Sequence, residues 1–229
     1  LPIMFNQLLM NMKIPQRYLQ NRTSNIRQGY ATINKSILDK LTPSNLYRFF
    51  CLSLYRNDYY KVRWRIKDLA RHTGESEDTL KNFNKDMEAV LVRKKYSEPI
   101  NHPVYKFTVR SLYCIPPIEH PNFITISCLF MKVNLSVKVK GYYIKLLLIA
   151  DNNKIILSSK KLATRLGMGK KNIESYNLDL YNAGLLKFLS NGFELTPKDL
   201  LLGNDIAKQR KEWNPINSKD VVKLAFKSK

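Results

Sequence analysis

Apolar and polar positions follow one pattern twice along the 229 residues, at an offset of 93 residues. Thr32-Ile33 recurs as Thr125-Ile126, and Leu69-Ala70 recurs as Leu162-Ala163. Later in each copy, "NFNKDM" corresponds to "SYNLDL". An internal repeat of this kind predicts two copies of one structural unit within a single chain.

Each copy opens with a short alternating segment, which predicts strands at Ala31–Ile33 and Phe123–Ile126. Helically spaced apolar residues then predict helices over roughly Pro43–Tyr55 and Lys138–Ala150. Either Thr42 or Ser44 can cap the first of these helices, and a proline is tolerated near its start. The face of this helix that we expect to be buried consists of Leu46, Phe49, Phe50 and Leu54.

A short apolar stretch and two more helices follow in each copy; the stretches are Val62–Trp64 and Ile155–Leu157. The second helix ends at Gly74 or Gly167, because glycine takes the positive φ of such a turn at no steric cost. The third helix begins shortly afterwards, with Ser76 as the candidate N-cap in copy one. The inward-facing residues of these helices are expected to be Ile66, Leu69, Ala70, Leu80, Phe83 and Met87, and in copy two Leu162, Ala163, Leu166, Ile173, Tyr176 and Leu180.

Two β-like segments complete each copy, near Val92–Tyr96 and Val104–Val109 in copy one, and at Leu185–Leu189 and Phe193–Thr196 in copy two. The second pair is separated by Asn191-Gly192, a strong hairpin signal. Strand, helix, helix, glycine turn, helix and β-hairpin is the order of a winged helix-turn-helix. The sequence therefore predicts an α+β fold of two tandem winged-helix domains.

This pattern also sets the domain boundaries that we expect. The first winged-helix domain takes residues 30–113, and the second takes residues 123–200. Between them, residues 114–122 read "CIPPIEHPN" and predict a stiff, proline-rich linker. Residues 1–29 form a basic N-terminal extension, and residues 201–229 form a basic C-terminal tail.

The charge balance indicates a polyanionic partner. The chain has 39 Lys and Arg against 18 Asp and Glu, a net charge of +21 and a pI near 9.9. Such an excess is typical of nucleic-acid binding. No stretch approaches the ~20 apolar residues that span a bilayer, so no membrane role is expected. No secretory signal and no CxxC pair is seen, and Cys51 lies in an apolar run as a buried thiol, so we expect a cytoplasmic protein.

Lys160 to Leu186 read "KKLATRLGMGKKNIESYNLDLYNAGLL", which contains part of a phosphate-binding pattern. A P-loop needs G-x-x-x-x-G-K-[ST] after a strand, and this segment lacks both that spacing and the final hydroxyl. A helix-turn-helix explains it better: Met168 fills the core, and the start of the third helix faces the major groove. The candidate DNA contacts of copy two are Lys170, Lys171, Asn172, Ser175 and Asn177, with Lys160 and Lys161 on the preceding helix. An ordinary solvated face is the alternative.

Copy one fits base recognition less well than copy two, because its predicted third helix starts with Glu75, Glu77 and Asp78. Acidic residues suit a helix N-terminus but repel phosphates. The candidate DNA contacts of copy one are Thr79, Lys81, Asn82 and Lys85, the basic wing Arg93, Lys94 and Lys95, and the preceding cations Arg65, Lys67 and Arg71. A protein-binding surface such as a dimer face is the alternative, so a homodimer is a second candidate assembly.

Three phrases carry a family resemblance: "INKSILDKLTPSNLYRFFCLSL", "IKDLARHTGESEDTLKNFNKDMEAV" and "LSSKKLATRLGMGKKNIESYNLDLYNAGLL". Over roughly Tyr30 to Pro197 the chain resembles the tandem winged-helix replication initiators of plasmids and related mobile elements, and the replisome organisers of phages. The resemblance implies origin recognition through both third helices, with one domain often serving dimerisation. The acidic start of the copy-one helix departs from that pattern.

No enzyme motif is found: His72, His102 and His120 are scattered, and neither HExxH nor GxSxG occurs. We therefore expect no catalytic residue, metal or cofactor, and we interpret His72 as a helix C-terminal residue. The sequence favours a sequence-specific binder of double-stranded DNA that initiates replication. A winged-helix transcription regulator and a protein-interaction adaptor with nonspecific DNA affinity are the alternatives.

Overall fold

The computed structural model describes residues 29–56, 61–64, 66–88, 90, 92–99, 107–119, 121–197 and 200–202. This part of the chain has a mixed α+β fold with six α-helices and nine strands. Copy one comprises β1 (Tyr30–Asn34), α1 (Pro43–Ser53), β2 (Lys61–Trp64), α2 (Ile66–Thr73), α3 (Phe83–Met87), β3 (Val92–Pro99) and β4 (Phe107–Cys114). Copy two comprises β5 (Phe123–Ser127), α4 (Val137–Ile149), β6 (Lys154–Ile155), α5 (Ser159–Leu166), α6 (Lys170–Asn182), β7 (Leu186–Leu189) and β8 (Gly192–Leu195), and β9 (Leu201–Leu202) follows.

The two copies repeat the same sheet. Copy one forms an antiparallel sheet in the order β2-β4-β3, and copy two forms one in the order β6-β8-β7. A third sheet, in the order β1-β5-β9, combines strands of both copies. The third sheet therefore joins the copies by backbone hydrogen bonds.

An approximate two-fold axis relates the copies. In the antiparallel pair β1–β5, Thr32 lies opposite its own counterpart Thr125, and their hydroxyl oxygens are 3.2 Å apart. Beside this pair, α1 packs on its counterpart α4. There the Lys140 ammonium donates to the hydroxyl of its counterpart Tyr47 at 3.4 Å. A residue that contacts its own counterpart must lie next to the axis relating the copies.

Helix α1 is buried on every side from Asn45 to Ser53, not only on the face that its apolar spacing predicts. The reason is tertiary: α4 covers the side that would otherwise face water, and α4 is itself buried from Val139 to Leu148. Aromatic rings fill the contact, with centroid separations of 5.7–6.1 Å among Tyr47, Phe50, Phe130 and Tyr143. One hydrophobic core therefore runs through both copies.

Several local signals of the sequence are confirmed. Of the two candidate caps of α1, Thr42 is the one used: its side chain accepts a hydrogen bond from the Asn45 N–H. Gly74 and Gly167 have φ values of 74° and 61°. Cys51 is fully buried, and burial raises the pKa of its thiol to about 12.

The third helix of copy one is shorter than predicted, because α3 begins only at Phe83. The Ser76 hydroxyl does accept from the Thr79 N–H at 3.2 Å, but turns follow, closed by hydrogen bonds such as Leu80 N–H to Glu77 O. Bonds between residues three apart close tight turns rather than an α-helix. Thr79 and two other predicted contacts, Lys81 and Asn82, therefore precede α3 instead of lying on it.

The hairpin β3–β4 of copy one is also longer than predicted. Its ladder runs from Val92 opposite Cys114 to Pro99 opposite Phe107, so β4 is displaced from the predicted Val104–Val109. Val104 itself lies outside the described residues. Backbone pairing sets the ends of these strands, and it continues through polar residues that give no apolar signal.

The proline-rich linker is held against copy one. The Asn34 side-chain amide donates to the Pro117 carbonyl at 2.7 Å and accepts from the Glu119 N–H at 3.1 Å. The Ser36 hydroxyl donates to the Glu119 carboxylate at 2.8 Å. These contacts fix the path of the chain from one copy to the other.

Gly141 allows α4 to approach α1, and its replacement by alanine tests this packing. A Cβ at position 141 would lie 1.6 Å from the backbone oxygen of Pro43, which cannot rotate away. Helix propensity alone favours alanine by about 1 kcal/mol, whereas overpacking costs about 1–3 kcal/mol. Because the clash is with main-chain atoms, the cost lies in the upper part of that range, and we expect Gly141→Ala to lower the free energy of unfolding in urea by about 1–2 kcal/mol. Lys138→Ala, an exposed site of the same helix, is the control; an unchanged or more stable Gly141→Ala protein would contradict this packing.

His72, in the last turn of α2, lies against Tyr55, with ring centroids 5.2 Å apart. Burial, helped by the Arg71 charge and opposed by Asp68, lowers the pKa of His72 to about 4. The unfolded chain, with a histidine pKa near 6.5, takes up this proton first as the pH falls. We expect the free energy of unfolding to decrease between about pH 6.5 and pH 4. His72→Gln should make the free energy of unfolding depend less on pH in this range. An equally steep decrease in that variant would show that groups other than His72 cause it.

Candidate nucleic-acid interface

Two helices and a tight turn form the candidate surface of copy two. The Ser158 side chain caps α5 by accepting from the Lys161 N–H. Gly167 then reverses the chain in the left-handed conformation, with φ 61° and ψ 38°. Met168 is half-buried against the core, and α6 starts after Gly169. The predicted glycine turn at Gly167 is therefore present and leads directly into α6.

Helix α6 is anchored by its buried face. Ile173 and Leu180 are fully buried, two turns apart on the helix. Four of the residues predicted on its outer surface are exposed: Lys170, Lys171, Asn172 and Ser175. They share one end of one rigid element, so a ligand can contact several of them together.

The start of α6 is electropositive. Its first turn has two lysines and no acidic residue, and the N–H groups of a helix N-terminus add positive potential. The Lys170 ammonium lies 3.4 Å from the Glu174 carboxylate, but both side chains are at least half exposed, so this pair is weak. Lys160 and Lys161 are exposed at the start of α5, the end of that helix away from the turn that leads into α6. Such a surface can hold an anion and can donate hydrogen bonds to acceptors.

Asn177 does not lie on the outer surface, contrary to the prediction. It is 1% exposed, and its side-chain oxygen accepts from the Tyr142 hydroxyl at 2.8 Å. Asn177 lies four residues after Ile173, so both side chains point to the core. Tyr176, predicted to point inward, is only half-buried, and its ring lies 5.5 Å from that of Tyr142.

Tyr142, which was not predicted to be a functional residue, positions α6. Burial raises the pKa of its phenol, which therefore stays protonated and donates to Asn177. The side-chain nitrogen of Asn177 has no partner among the described residues, so the bond to Tyr142 is the polar anchor of this helix face. The only sequence signal was the helical spacing of Ile173, Asn177 and Leu180.

The predicted contacts of copy one are scattered over different elements. Lys67 and Arg71 are exposed on α2, and Lys85 is exposed on α3. Thr79, Lys81 and Asn82 are exposed in the turns before α3. Arg93, Lys94 and Lys95 lie on β3, although their side chains, like the whole of Arg65, fall outside the described part of the chain. No single helix end of the described copy-one residues collects these cations.

The two copies carry opposite charges at the same place. The counterparts of Lys170 and Lys171, 93 residues earlier, are Glu77 and Asp78, both exposed. Asp78 pairs with the predicted contact Lys81 at 2.6 Å. The electropositive helix start is therefore a property of copy two.

Glu75, the other acidic residue of this region, is turned inward. The Arg48 guanidinium donates two hydrogen bonds to its carboxylate, at 2.9 and 2.5 Å, and a third to the Asn45 side chain at 2.7 Å. The Asn45 amide in turn donates to Asp86 on α3 at 2.8 Å. This network joins α1 to the turn after α2 and to α3, and its role is to hold copy one together.

Comparison with family models, with curated protein sequences and with solved structures gives no match. Among the helices that the structure describes, none is both long and apolar enough to cross a bilayer. In the same residues, no cluster of three or more His, Cys, Asp or Glu side chains is arranged to hold a metal ion.

Two neighbouring tyrosines test how α6 is anchored. Tyr142→Phe leaves both polar atoms of Asn177 without a partner among the described residues, and a buried unpaired group costs about 1–3 kcal/mol. We expect that decrease in stability in chemical denaturation, together with faster amide exchange in α6. The control is Tyr143→Phe, because the buried Tyr143 hydroxyl has no partner in the described structure, and its removal should be neutral or stabilising. Equal effects of the two variants would contradict this role of Tyr142.

Proposed function

We propose that this protein is a sequence-specific binder of double-stranded DNA, built of two winged-helix units and without enzymatic activity. The observation that carries the proposal is the exposed start of α6, where Lys170, Lys171 and Asn172 project from an anchored helix. Lysine donates to guanine O6 and N7, and asparagine bridges adenine N6 and N7. In a helix-turn-helix these positions lie against base edges in the major groove.

The element order supports winged-helix units. In copy two, α4, α5 and α6 precede the hairpin β7–β8, and β6 pairs with β8 to complete a small sheet. Copy one repeats the order with the hairpin β3–β4. The net charge of +21 supports a phosphate backbone as the partner.

The two-fold relation between the copies suggests the form of the target. When two DNA-contacting elements are related by a two-fold axis, each contacts the duplex in the opposite direction to the other. The matching site is therefore an inverted repeat. The halves of this site are unequal in our proposal. Copy two supplies the stronger base contacts through Lys170 and Lys171, whereas Glu77 and Asp78 of copy one accept from cytosine N4 or face solvent.

The biological role that we propose is the initiation of replication of a plasmid, phage or other mobile element. Its support is the resemblance of the repeated sequence to tandem winged-helix initiators. An initiator recognises several copies of its site at an origin. The target sites that a selection experiment recovers therefore bear on this role as well as on DNA binding.

Selection of bound duplexes from a random pool at physiological salt is the experiment that tests the proposal. We expect an enriched motif with two unequal, inverted halves. Lys170→Ala with Lys171→Ala should weaken binding to this motif by about 1–3 kcal/mol for each base that these lysines read, and binding to unrelated duplexes much less. Fluorescence anisotropy with both duplexes measures the difference.

The matched control is Lys132→Ala with Lys138→Ala, which removes the same charge from exposed sites that are neither on α6 nor among the candidate DNA contacts. This control should weaken binding to both duplexes equally and only slightly. If the Lys170 and Lys171 variant loses affinity equally for both duplexes, these residues contact phosphates and do not read bases. If no motif is enriched and binding disappears as salt rises, the charge is generic and the proposal fails.

A further inference from the structure

An exposed apolar patch lies on the outer side of copy two, away from the start of α6. Leu178 and Tyr181 lie one turn apart on α6, and Phe188 lies on β7, with its ring 5.4 Å from that of Tyr181. Each of the three side chains is more than half exposed, at 52–53%. In the described residues, only Ile156 is a comparably exposed large hydrophobic residue.

Comparison of the copies shows that this patch is not required by the fold. The counterparts of Leu178 and Tyr181, 93 residues earlier, are Lys85 and Glu88. In the hairpins the strand register matches Phe188, opposite Phe193, with Arg93, opposite Tyr113. The same backbone positions are therefore charged in copy one and apolar in copy two. Apolar side chains kept exposed where charged ones fit equally well indicate an interaction surface.

The patch also differs in charge from the rest of the protein. Residues 172–190, which include all three patch residues, contain Glu174, Asp179 and a single cation, Lys187, in a chain whose net charge is +21. An apolar surface with acidic neighbours is a poor contact for phosphates. It is instead the place where two strongly basic chains can approach with the least repulsion.

We propose that two copies of this protein associate through this patch, Leu178, Tyr181 and Phe188 of one chain packing on the same residues of the other. A two-fold contact is self-complementary, so each chain needs only the one patch. Lys187, next to Phe188, is exposed, as are Glu174 and Asp179 on α6, so opposite charges are available to both sides of the contact. The proposal does not rest on DNA binding, because none of these residues is a candidate DNA contact.

The area of the patch sets the strength of this association. A fully buried aromatic side chain covers about 150–250 Å², so three half-exposed side chains bury roughly 300 Å² per chain. Specific stable interfaces bury about 800 Å² per partner. The contact is therefore that of a weak, reversible dimer, with a dissociation constant in the micromolar range or above.

Sedimentation equilibrium of the full chain over a wide concentration range tests the proposal. We expect a monomer–dimer equilibrium that strengthens as salt rises, because screening weakens the repulsion between the two basic chains. Exchanging the patch for its copy-one counterparts, in Leu178→Lys/Tyr181→Glu/Phe188→Arg, should weaken association about thirtyfold or more. Leu178→Lys alone leaves the Tyr181–Phe188 ring contact intact and should still weaken association about tenfold, which keeps the test valid if the triple variant does not fold.

The matched control is Ile156→Arg. Ile156 is 55% exposed, lies directly after β6 at the opposite edge of the same sheet, and has Arg63 as its counterpart. This change adds one positive charge, as the triple exchange and Leu178→Lys do, and should leave self-association unchanged. A wild-type chain that stays monomeric at every concentration, or equal effects of Leu178→Lys and Ile156→Arg, would overturn the proposal. So would a decrease of DNA affinity in the triple variant at concentrations where the wild-type chain is monomeric.

Discussion

The contact between α1 and α4 is the constraint on which the rest of the structure depends. Both helices are buried on nearly every side, which is possible only because each covers the other. Two lysines are buried with them, and burial lowers the pKa of each. Lys140 donates to the Met131 carbonyl at 2.9 Å, and Lys145 donates to the Leu38 carbonyl at 2.6 Å. A buried ammonium is tolerated only where acceptors are in place, so these bonds favour one alignment of the copies.

From this contact the position of α6 follows. Tyr142 belongs to α4, and its hydroxyl holds Asn177 in the middle of α6. The same α4 packs through Gly141 on the first turn of α1, at Pro43. The orientation of the exposed lysines at the start of α6 is therefore linked through α4 to copy one, and the two copies share one hydrophobic core and one sheet.

The repeat separates what the fold requires from what each surface is free to do. Core positions such as Leu69 and Leu162 match in the two copies, because both must fill the same space. Surface positions diverge: Lys170 stands where Glu77 stands in copy one, and Leu178 stands where Lys85 does. This divergence is consistent with a division of labour, in which the start of α6 contacts DNA and its outer side contacts a second chain, as we propose.

The sequence by itself determined the repeat, the α+β class and most element positions, because helix caps, glycine turns and apolar spacing act over a few residues. The helix cap at Thr42, the turn at Gly167 and the hairpin that begins at Leu186 can all be predicted without knowledge of the fold. Only the tertiary structure decided that Asn177 is buried, that α3 is short, and that the copies face each other across the Thr32–Thr125 pair. The burial of Asn177 and the pairing of the copies depend on groups 35 and 93 residues apart, and local periodicity cannot show which distant surface will cover a given face.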